Sequence, residues 1–284
     1  MPLLDLGEVQ LNWREDGDPS GRPLVLLHAL GADLTLWDRV VPLLPQTMRI
    51  LRLDMRGHGG SSVPPGPYAM GALIRDAERA MEQWGARDAV VAGLSIGGLI
   101  AQGLAVKRLD LVRALVLSNT ATKIATPAVW AERIATIEAG GMDAIAQPVI
   151  ERWFPRAARS GPDATAWRDR LMHCNPAGYA GAAAAIGGTD FLTPSSGLRL
   201  PALVIAGSED GSTPPDLVRE LAELIPGARF ALLRRTGHVP PVDAPEAWAA
   251  AVTDFLAGIG EAPVPHAHDH DHAHHGPGCC GHDH

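Results

Sequence analysis

The sequence predicts an α/β fold with a mostly parallel sheet that carries helices on both faces. Two observations predict this fold. Short apolar segments alternate with longer segments of helical periodicity along much of the 284-residue chain. The alternation stops over residues 121–197, where Ala and Ile recur at helical spacing between Gly and Pro. We therefore expect a core from residues 1–120 and 198–260, an inserted helical cap at 121–197, and a disordered tail at 261–284.

The individual elements are predicted from hydrophobic periodicity. In the helix Met70–Trp84, for example, Leu73, Ala77 and Met81 recur at helical spacing. The other predicted helices outside the cap are Gly98–Val106, Pro214–Leu224 and Pro245–Ala257. The predicted strands are Val9–Arg14, Pro23–Leu27, Arg49–Leu53, Ala89–Ala92, Ala114–Leu117, Pro201–Ala206 and Arg229–Leu233. Three or four short helices are expected in the cap.

Composition excludes several classes of function. The formal net charge of −8 argues against nucleic acid as a general partner. The chain contains no apolar run of about 18 residues, so no membrane-spanning helix is expected. The N-terminus lacks the basic and then apolar order of a signal peptide. Three cysteines, two of them adjacent, do not make a disulfide framework, and a cytoplasmic protein is expected.

The segment Gly93-Leu94-Ser95-Ile96-Gly97 lies between a predicted strand and a predicted helix. This order is typical of the nucleophile elbow of α/β-hydrolases, in which the serine occupies a strained turn and glycines two residues away let strand and helix approach. Ser95 is therefore the candidate nucleophile.

A serine hydroxyl needs a base, and the base needs an orienting carboxylate. In this fold the chain order is Ser, acid, His. Asp210 follows the strand Pro201–Ala206 and precedes a helix, with Glu209 as the adjacent competitor. His238 follows the strand Arg229–Leu233, so it is the candidate base. No carboxylate occurs at residues 118–120, the alternative position of the acid.

The negative oxygen of a tetrahedral intermediate requires two N–H donors. The backbone of Ile96, next to the candidate nucleophile, is one expected donor. The backbone of Leu30, in the loop after Pro23–Leu27, is the other, with Ala29 as the alternative.

The chain resembles the 3-oxoadipate enol-lactonases and their neighbours among the cofactor-free haloperoxidase-like and esterase α/β-hydrolases. The resemblance covers about residues 3 to 259. Its narrower motifs are the Leu-Gly-Ala-Asp opening at residues 30–33 with Trp37-Asp38, Arg152-Trp153-Phe154, and Asn175-Pro-Ala-Gly-Tyr179. The resemblance implies hydrolysis of an enol-lactone of aromatic catabolism (the β-ketoadipate pathway) through an acyl-enzyme, without a catalytic cofactor.

One departure from that family concerns the substrate. The chain carries Gly187-Gly188 where the family tends to have Arg-Asp. If that arginine holds the substrate's carboxylate, another arginine must do so here, and the cap offers Arg133, Arg152, Arg156, Arg168 and Arg170, which the sequence does not rank. Trp130 and Trp153 are candidate substrate-binding residues in the cap.

The tail is a separate candidate for metal binding. Its possible Zn, Ni or Cu ligands are His266, His268, His270, His272, His274, His275, Cys279, Cys280, His282 and His284. No metal is expected in the active site.

The leading hypothesis is thus a serine hydrolase of a small lactone or carboxylic ester, with no nucleic-acid or membrane partner and with the oligomeric state open. The alternatives are a general carboxylesterase or haloperoxidase-like hydrolase, and a metal-binding or storage protein acting through the tail.

Overall fold

The computed structural model describes residues 3–260, in which nine strands form a seven-stranded sheet and a small antiparallel pair. The strands are β1 (Leu4–Asp5), β2 (Gln10–Leu11), β3 (Trp13–Gly17), β4 (Pro23–Leu27), β5 (Arg49–Leu53), β6 (Ala89–Leu94), β7 (Val112–Ser118), β8 (Ala202–Gly207) and β9 (Arg229–Leu233). The large sheet has the order β3-β5-β4-β6-β7-β8-β9 and is parallel except where β3 pairs with β5. The predicted fold class is confirmed.

Ten α-helices connect and cover these strands within the described range. They are α1 (Met70–Gln83), α2 (Ile96–Lys107), α3 (Pro127–Gly140), α4 (Asp143–Trp153), α5 (Pro162–Met172), α6 (Pro176–Gly187), α7 (Leu192–Ser196), α8 (Pro215–Leu224), α9 (Pro240–Asp243) and α10 (Pro245–Gly258). None of the helices in residues 3–260 has the length and apolar character needed to cross a bilayer.

The centre of the sheet is buried on both faces. Every residue of β6 and β8 is buried, which explains why these strands are continuous apolar runs rather than alternating ones. The carboxyl ends of β6, β7 and β8 lie side by side at one edge, where open parallel sheets bind their ligands. Ser95, Asn119 and the Asp210 loop follow these three strands.

Five α-helices, α3 to α7, lie between β7 and β8, where three or four were expected. We refer to residues 121–197 as the helical segment. The predicted number of helices was too low for two reasons. Pro127, Pro162 and Pro176 each begin a new short helix, a position that suits proline, and α7 is too short to show a clear periodicity.

The predicted strand Val9–Arg14 is also wrong, because two strands occupy this region. Asn12 separates β2 from β3. Its N–H donates to the Ser61 hydroxyl (2.9 Å) and its side-chain amide to Asp54 (2.7 Å), so this residue is tied to the loop after β5.

Candidate active site

Ser95 stands in the strained turn that the glycine spacing predicts. It lies between β6 and α2 with φ +59° and ψ −116°, a region that costs free energy for any residue other than glycine. A Cβ on Gly93 would lie 2.1 Å from the carbonyl oxygen of Gly97, and one on Gly97 would lie 2.1 Å from that of Leu27. Only glycine fits at these two positions, so they allow the close packing that holds the turn.

Asp210 and His238 are in direct contact. The Nδ1 atom of His238 lies 2.8 Å from Oδ2 of Asp210, and both side chains are buried. Because the carboxylate only accepts hydrogen bonds, Nδ1 carries the hydrogen and Nε2 of the neutral ring is left as the basic atom. Glu209, the competing acid, is exposed and makes no such contact among the described residues.

Five donors surround the Asp210 carboxylate. Oδ2 accepts from His238, from the Asn119 amide (2.9 Å) and from the Thr213 hydroxyl (2.7 Å), and Oδ1 accepts from the backbone N–H groups of Ser212 and Thr213. Burial by itself raises the pKa of Asp210. The positive charge of protonated His238 and these hydrogen bonds outweigh burial and hold the pKa below its usual value. The group is therefore suited to remain ionised beside an imidazolium.

The candidate oxyanion donors are the backbone N–H groups of Leu30 and Ile96. Leu30 lines the same cavity as Ser95, and Ile96 follows Ser95 directly. Within residues 3–260 neither N–H donates a hydrogen bond. The Leu30 loop is fixed by His28, whose Nδ1 lies 2.8 Å from the carbonyl oxygen of Ala29 and whose Nε2 accepts from the N–H of Met55 (3.1 Å).

A cavity of about 250 Å³ contains Ser95 and His238. The core contributes Leu30, Ser95, Ser212 and His238 to its wall, and the helical segment contributes Trp130, Arg133, Arg152, Trp153 and Tyr179, among others. Both candidate tryptophans thus line it. The Trp153 ring lies 6.4 Å from the His238 ring, centre to centre.

The structure ranks the five arginines of the helical segment. Only Arg133 and Arg152 of the five line this cavity. Arg168 pairs with Asp143 (3.5 Å), and Arg170 contacts Asp33 and Thr35 at the rim of a different cavity. Arg156 is exposed in a short 3₁₀ turn.

Arg133 and Arg152 make no ion pair with any residue in the range 3–260. The Arg133 guanidinium stacks on Trp130, 4.7 Å from its ring centre. Burial, and next the charge of Arg133, lower the pKa of Arg152. Two cations that lack a carboxylate partner in the described residues favour an anionic group in the cavity.

Gly187, one of the two glycines that stand where the lactonases tend to have Arg-Asp, lies at the contact between α3 and α6. A Cβ at this position would lie 3.1 Å from Cβ of Trp130. The missing side chain lets α6 pack closely against α3, the helix that carries Trp130 and Arg133. A side chain at 187 would require α3 and α6 to separate slightly at Trp130.

The sequence did not indicate that α4 holds the loops of Asp210 and His238. The carbonyl of Arg152 accepts from the N–H of Gly211 (3.0 Å), and the carbonyl of Trp153 accepts from that of His238 (2.7 Å). The only trace of such main-chain contacts in the sequence is a glycine at 211 and at 237, and a glycine does not identify its partner. The last turn of α4 therefore fixes the loops of both Asp210 and His238.

The predicted metal ligands of the tail, residues 266–284, lie outside the described residues. Within residues 3–260 no three His, Cys, Asp or Glu side chains are grouped so that they could hold a metal ion.

Comparisons with a family model, with solved structures and with curated proteins all indicate the same family. Residues 22–158 match the family model described as the alpha/beta hydrolase fold. The enol-lactonase of Burkholderia xenovorans LB400 superposes with a TM-score of 0.87 at 35% identity, over 90% of this chain and 100% of that one. The 3-oxoadipate enol-lactonase 2 of Acinetobacter baylyi is 29% identical over 250 residues, which are 86% of this chain and 92% of that protein.

Esterases are also similar to the chain. The pimeloyl-[acyl-carrier protein] methyl ester esterase of a Neisseria meningitidis serogroup A strain is 26% identical over 251 residues, 85% of this chain and 79% of that protein. The similarity thus covers hydrolases of both lactones and open-chain esters.

Proposed function

Because the chain belongs to the α/β-hydrolase family, we propose that it is a serine hydrolase of a small lactone or carboxylic ester that carries a free carboxylate. The observation that carries the proposal is one cavity that contains Ser95, the Asp210-bound His238, and the unpaired cations Arg133 and Arg152.

The proposed reaction begins at Ser95. Its Oγ attacks the ester carbonyl while Nε2 of His238 takes the hydroxyl proton, and Asp210 stabilises the imidazolium that forms. The carbonyl oxygen becomes negative, and the N–H groups of Leu30 and Ile96 stabilise it. Collapse of this intermediate breaks the C–O bond to the leaving group and leaves an acyl-Ser95.

Water completes the cycle. His238, after giving its proton to the leaving oxygen, takes one from water, and the hydroxide attacks the acyl carbon and releases the acid and free Ser95. In an enol-lactone the leaving oxygen is an enolate, which tautomerises to a ketone. Because an enolate leaves more readily than an alkoxide, proton donation by His238 matters less for this substrate. No cofactor takes part in these steps.

The most specific substrate we propose is 3-oxoadipate enol-lactone. Two relatives of that activity or class are among the similar proteins. Forming a lactone from a dicarboxylic acid consumes one carboxyl and leaves the other free, which matches a cavity with one reacting centre and two cations. A general carboxylesterase is the second candidate, since the chain is also similar to an esterase.

A turnover panel tests the proposal. It contains the enol-lactone, p-nitrophenyl acetate as a neutral ester, and the mono-p-nitrophenyl ester of a dicarboxylic acid as an anionic ester of equal reactivity. We expect the highest kcat/KM for the lactone and a preference for the anionic over the neutral ester. An enol-lactone rate no better than that of the simple esters would end the specific assignment. Failure of a fluorophosphonate, which reacts only with activated serines, to label Ser95 would end the mechanism.

A further inference from the structure

The segment Ser118–Thr120 makes hydrogen bonds to Ser95, to Asp210 and to the loop that carries His238. The carbonyl of Ser118 accepts from the N–H of Ser95 (3.1 Å), and the Thr120 hydroxyl donates to the Ser95 carbonyl (2.7 Å). Between them, Asn119 reaches to the other side, toward Asp210 and the residue before His238. All three residues of the segment are buried.

Asn119 is completely buried and has a left-handed backbone, with φ +48°. Its side-chain NH₂ donates one hydrogen bond to Oδ2 of Asp210 (2.9 Å) and another to the carbonyl oxygen of Gly237 (3.1 Å). Asparagine is one of the few residues with a side chain that tolerate this backbone region. One amide group thus joins the acid to the main chain that carries the base.

The orientation of this amide is determined by a chain of buried donors. The indole N–H of Trp248 can only donate, and it lies 3.2 Å from Oγ of Ser118. The Ser118 hydroxyl then donates to Oδ1 of Asn119 (2.9 Å). With Oδ1 accepting from Ser118, the NH₂ group must face Asp210 and Gly237, both of which offer only acceptors there.

We infer that Asn119 is a positioning residue. Its two donated hydrogen bonds hold Asp210 and the His238 loop at fixed positions relative to Ser95. The inference rests on the proposed function. It assigns a role to the end of β7, where the chain has no carboxylate. A neutral donor at this position supports the ionised Asp210, whereas a second carboxylate would repel it.

The charged and titratable groups around this amide are few. Asp210 and His238 lie on the loops after β8 and β9, and Asp243 of α9 accepts from the N–H of Gly237 (2.7 Å). A change at residue 119 should therefore be seen first in the protonation of the Asp210–His238 pair.

Two variants of Asn119 test the inference. Asn119→Leu keeps the size but removes both hydrogen bonds, and we expect the rate of fluorophosphonate labelling and kcat to fall by about 10- to 100-fold, as expected for the loss of a charge-assisted hydrogen bond, with KM little changed. Asn119→Asp adds a carboxylate beside Asp210. Because the two carboxylates repel each other, the new group and Asp210 together take up a proton more readily than Asp210 alone, and when both are ionised they stabilise the imidazolium of His238. Both effects should move the acid limb of the kcat/KM profile to higher pH.

Gln102→Leu is the matched control. Gln102 is another fully buried amide, which donates to the carbonyls of Gly98 and Ala121 and accepts from Ser195, away from Asp210. It should lower the melting temperature without moving the pH profile. If both Asn119 variants label and turn over at the wild-type rate, or if their pH profiles match that of Gln102→Leu, the positioning role is wrong. Absence of labelling in the wild type would instead overturn the proposed function.

Discussion

The backbone N–H of His238 donates a 2.7 Å hydrogen bond to the carbonyl oxygen of Trp153. The candidate base, in the loop after β9, is thereby attached to the last turn of α4 in the helical segment. Gly237 makes this contact possible, because a Cβ at that position would lie 2.1 Å from the same oxygen. The helical segment thus contributes to the geometry of the candidate catalytic residues as well as to the wall of the cavity.

Gly237→Ala should reduce activity strongly for this reason. The added Cβ must push the loop away from Trp153, and His238 moves with it. A misplacement of about 1 Å at a reacting group can lower a rate by about 100-fold. We expect a loss of that size in the rate of ester hydrolysis. Gly71→Ala is the control, because a Cβ there meets open space. Equal activity of the two variants would show that the contact does not matter.

Ser95→Ala should remove the nucleophile while leaving the fold intact. Removal of one member of a serine triad lowers kcat by about 10⁴-fold or more. Steady-state hydrolysis of a p-nitrophenyl ester measures this loss, and the melting temperature checks the fold. A near-normal rate in a folded Ser95→Ala protein would exclude Ser95 as the nucleophile.

Much of the core could be predicted from sequence because its signals are local. The bounds of β4, β5 and β9 agree with the prediction, since each is a short and mainly apolar segment between turn residues. The elbow motif and the chain order of Asp210 and His238 also depend on nearby residue types. The structure brings these two side chains into contact, and brings His238 into one cavity with Ser95.

The remaining features depend on tertiary packing. Asn119 lies 91 residues from Asp210 along the chain, so no local pattern links them. Arg133 and Arg152 could not be separated from the other three arginines, because which of them face the cavity is set by how α3, α4 and α6 pack. The main-chain contacts of Trp153 and Arg152 require Gly237 and leave little room at Gly211, but a glycine in the sequence does not show which carbonyl it approaches.

Asp243 should make the stability of the protein depend on pH. Burial raises its pKa to about 6, its Oδ2 accepts from Gly237, and its buried Oδ1 has no partner among the described residues. The native state therefore holds this proton more tightly than the unfolded chain does. The contribution of this group to stability is greatest below pH about 4 and is lost as the pH rises to about 6, a decrease on the order of 2 to 3 kcal/mol.

Asp243→Asn removes this titration but keeps an acceptor for Gly237. Relative to wild type, its free energy of unfolding should increase between pH 4 and pH 7.5. Urea unfolding at several pH values measures this difference between the two proteins. Buried His58, whose pKa is lowered to about 3 mainly by burial, contributes with the opposite sign, but it does so equally in both proteins and cancels in the difference. Glu246→Gln, at an exposed carboxylate of α10, is the control. A pH-independent difference between Asp243→Asn and wild type would contradict the assignment.

Deletion of residues 265–284 should separate metal binding from hydrolysis. The deleted stretch contains eight of the twelve histidines and two of the three cysteines. We expect Zn²⁺ or Ni²⁺ binding, measured by calorimetry, to collapse while ester hydrolysis stays at the full-length rate. Loss of hydrolysis on deletion would show that the tail is not independent of the active site.

Replacing the arginines should change selectivity for charge rather than the chemistry itself. Arg133→Gln or Arg152→Gln should lower kcat/KM for an anionic ester by about 10- to 100-fold, as expected for one charge-assisted hydrogen bond, and leave that for a neutral ester nearly unchanged. The Arg152 substitution retains the carbonyl that holds Gly211, so the Asp210 loop should stay in place. Arg156→Gln, at an exposed position of the same segment, is the matched control. The decisive quantity is the ratio of kcat/KM for the anionic and neutral esters. If this ratio is the same in wild type and in both variants, Arg133 and Arg152 do not bind the substrate. The proposal that the substrate carries a free carboxylate would then be wrong.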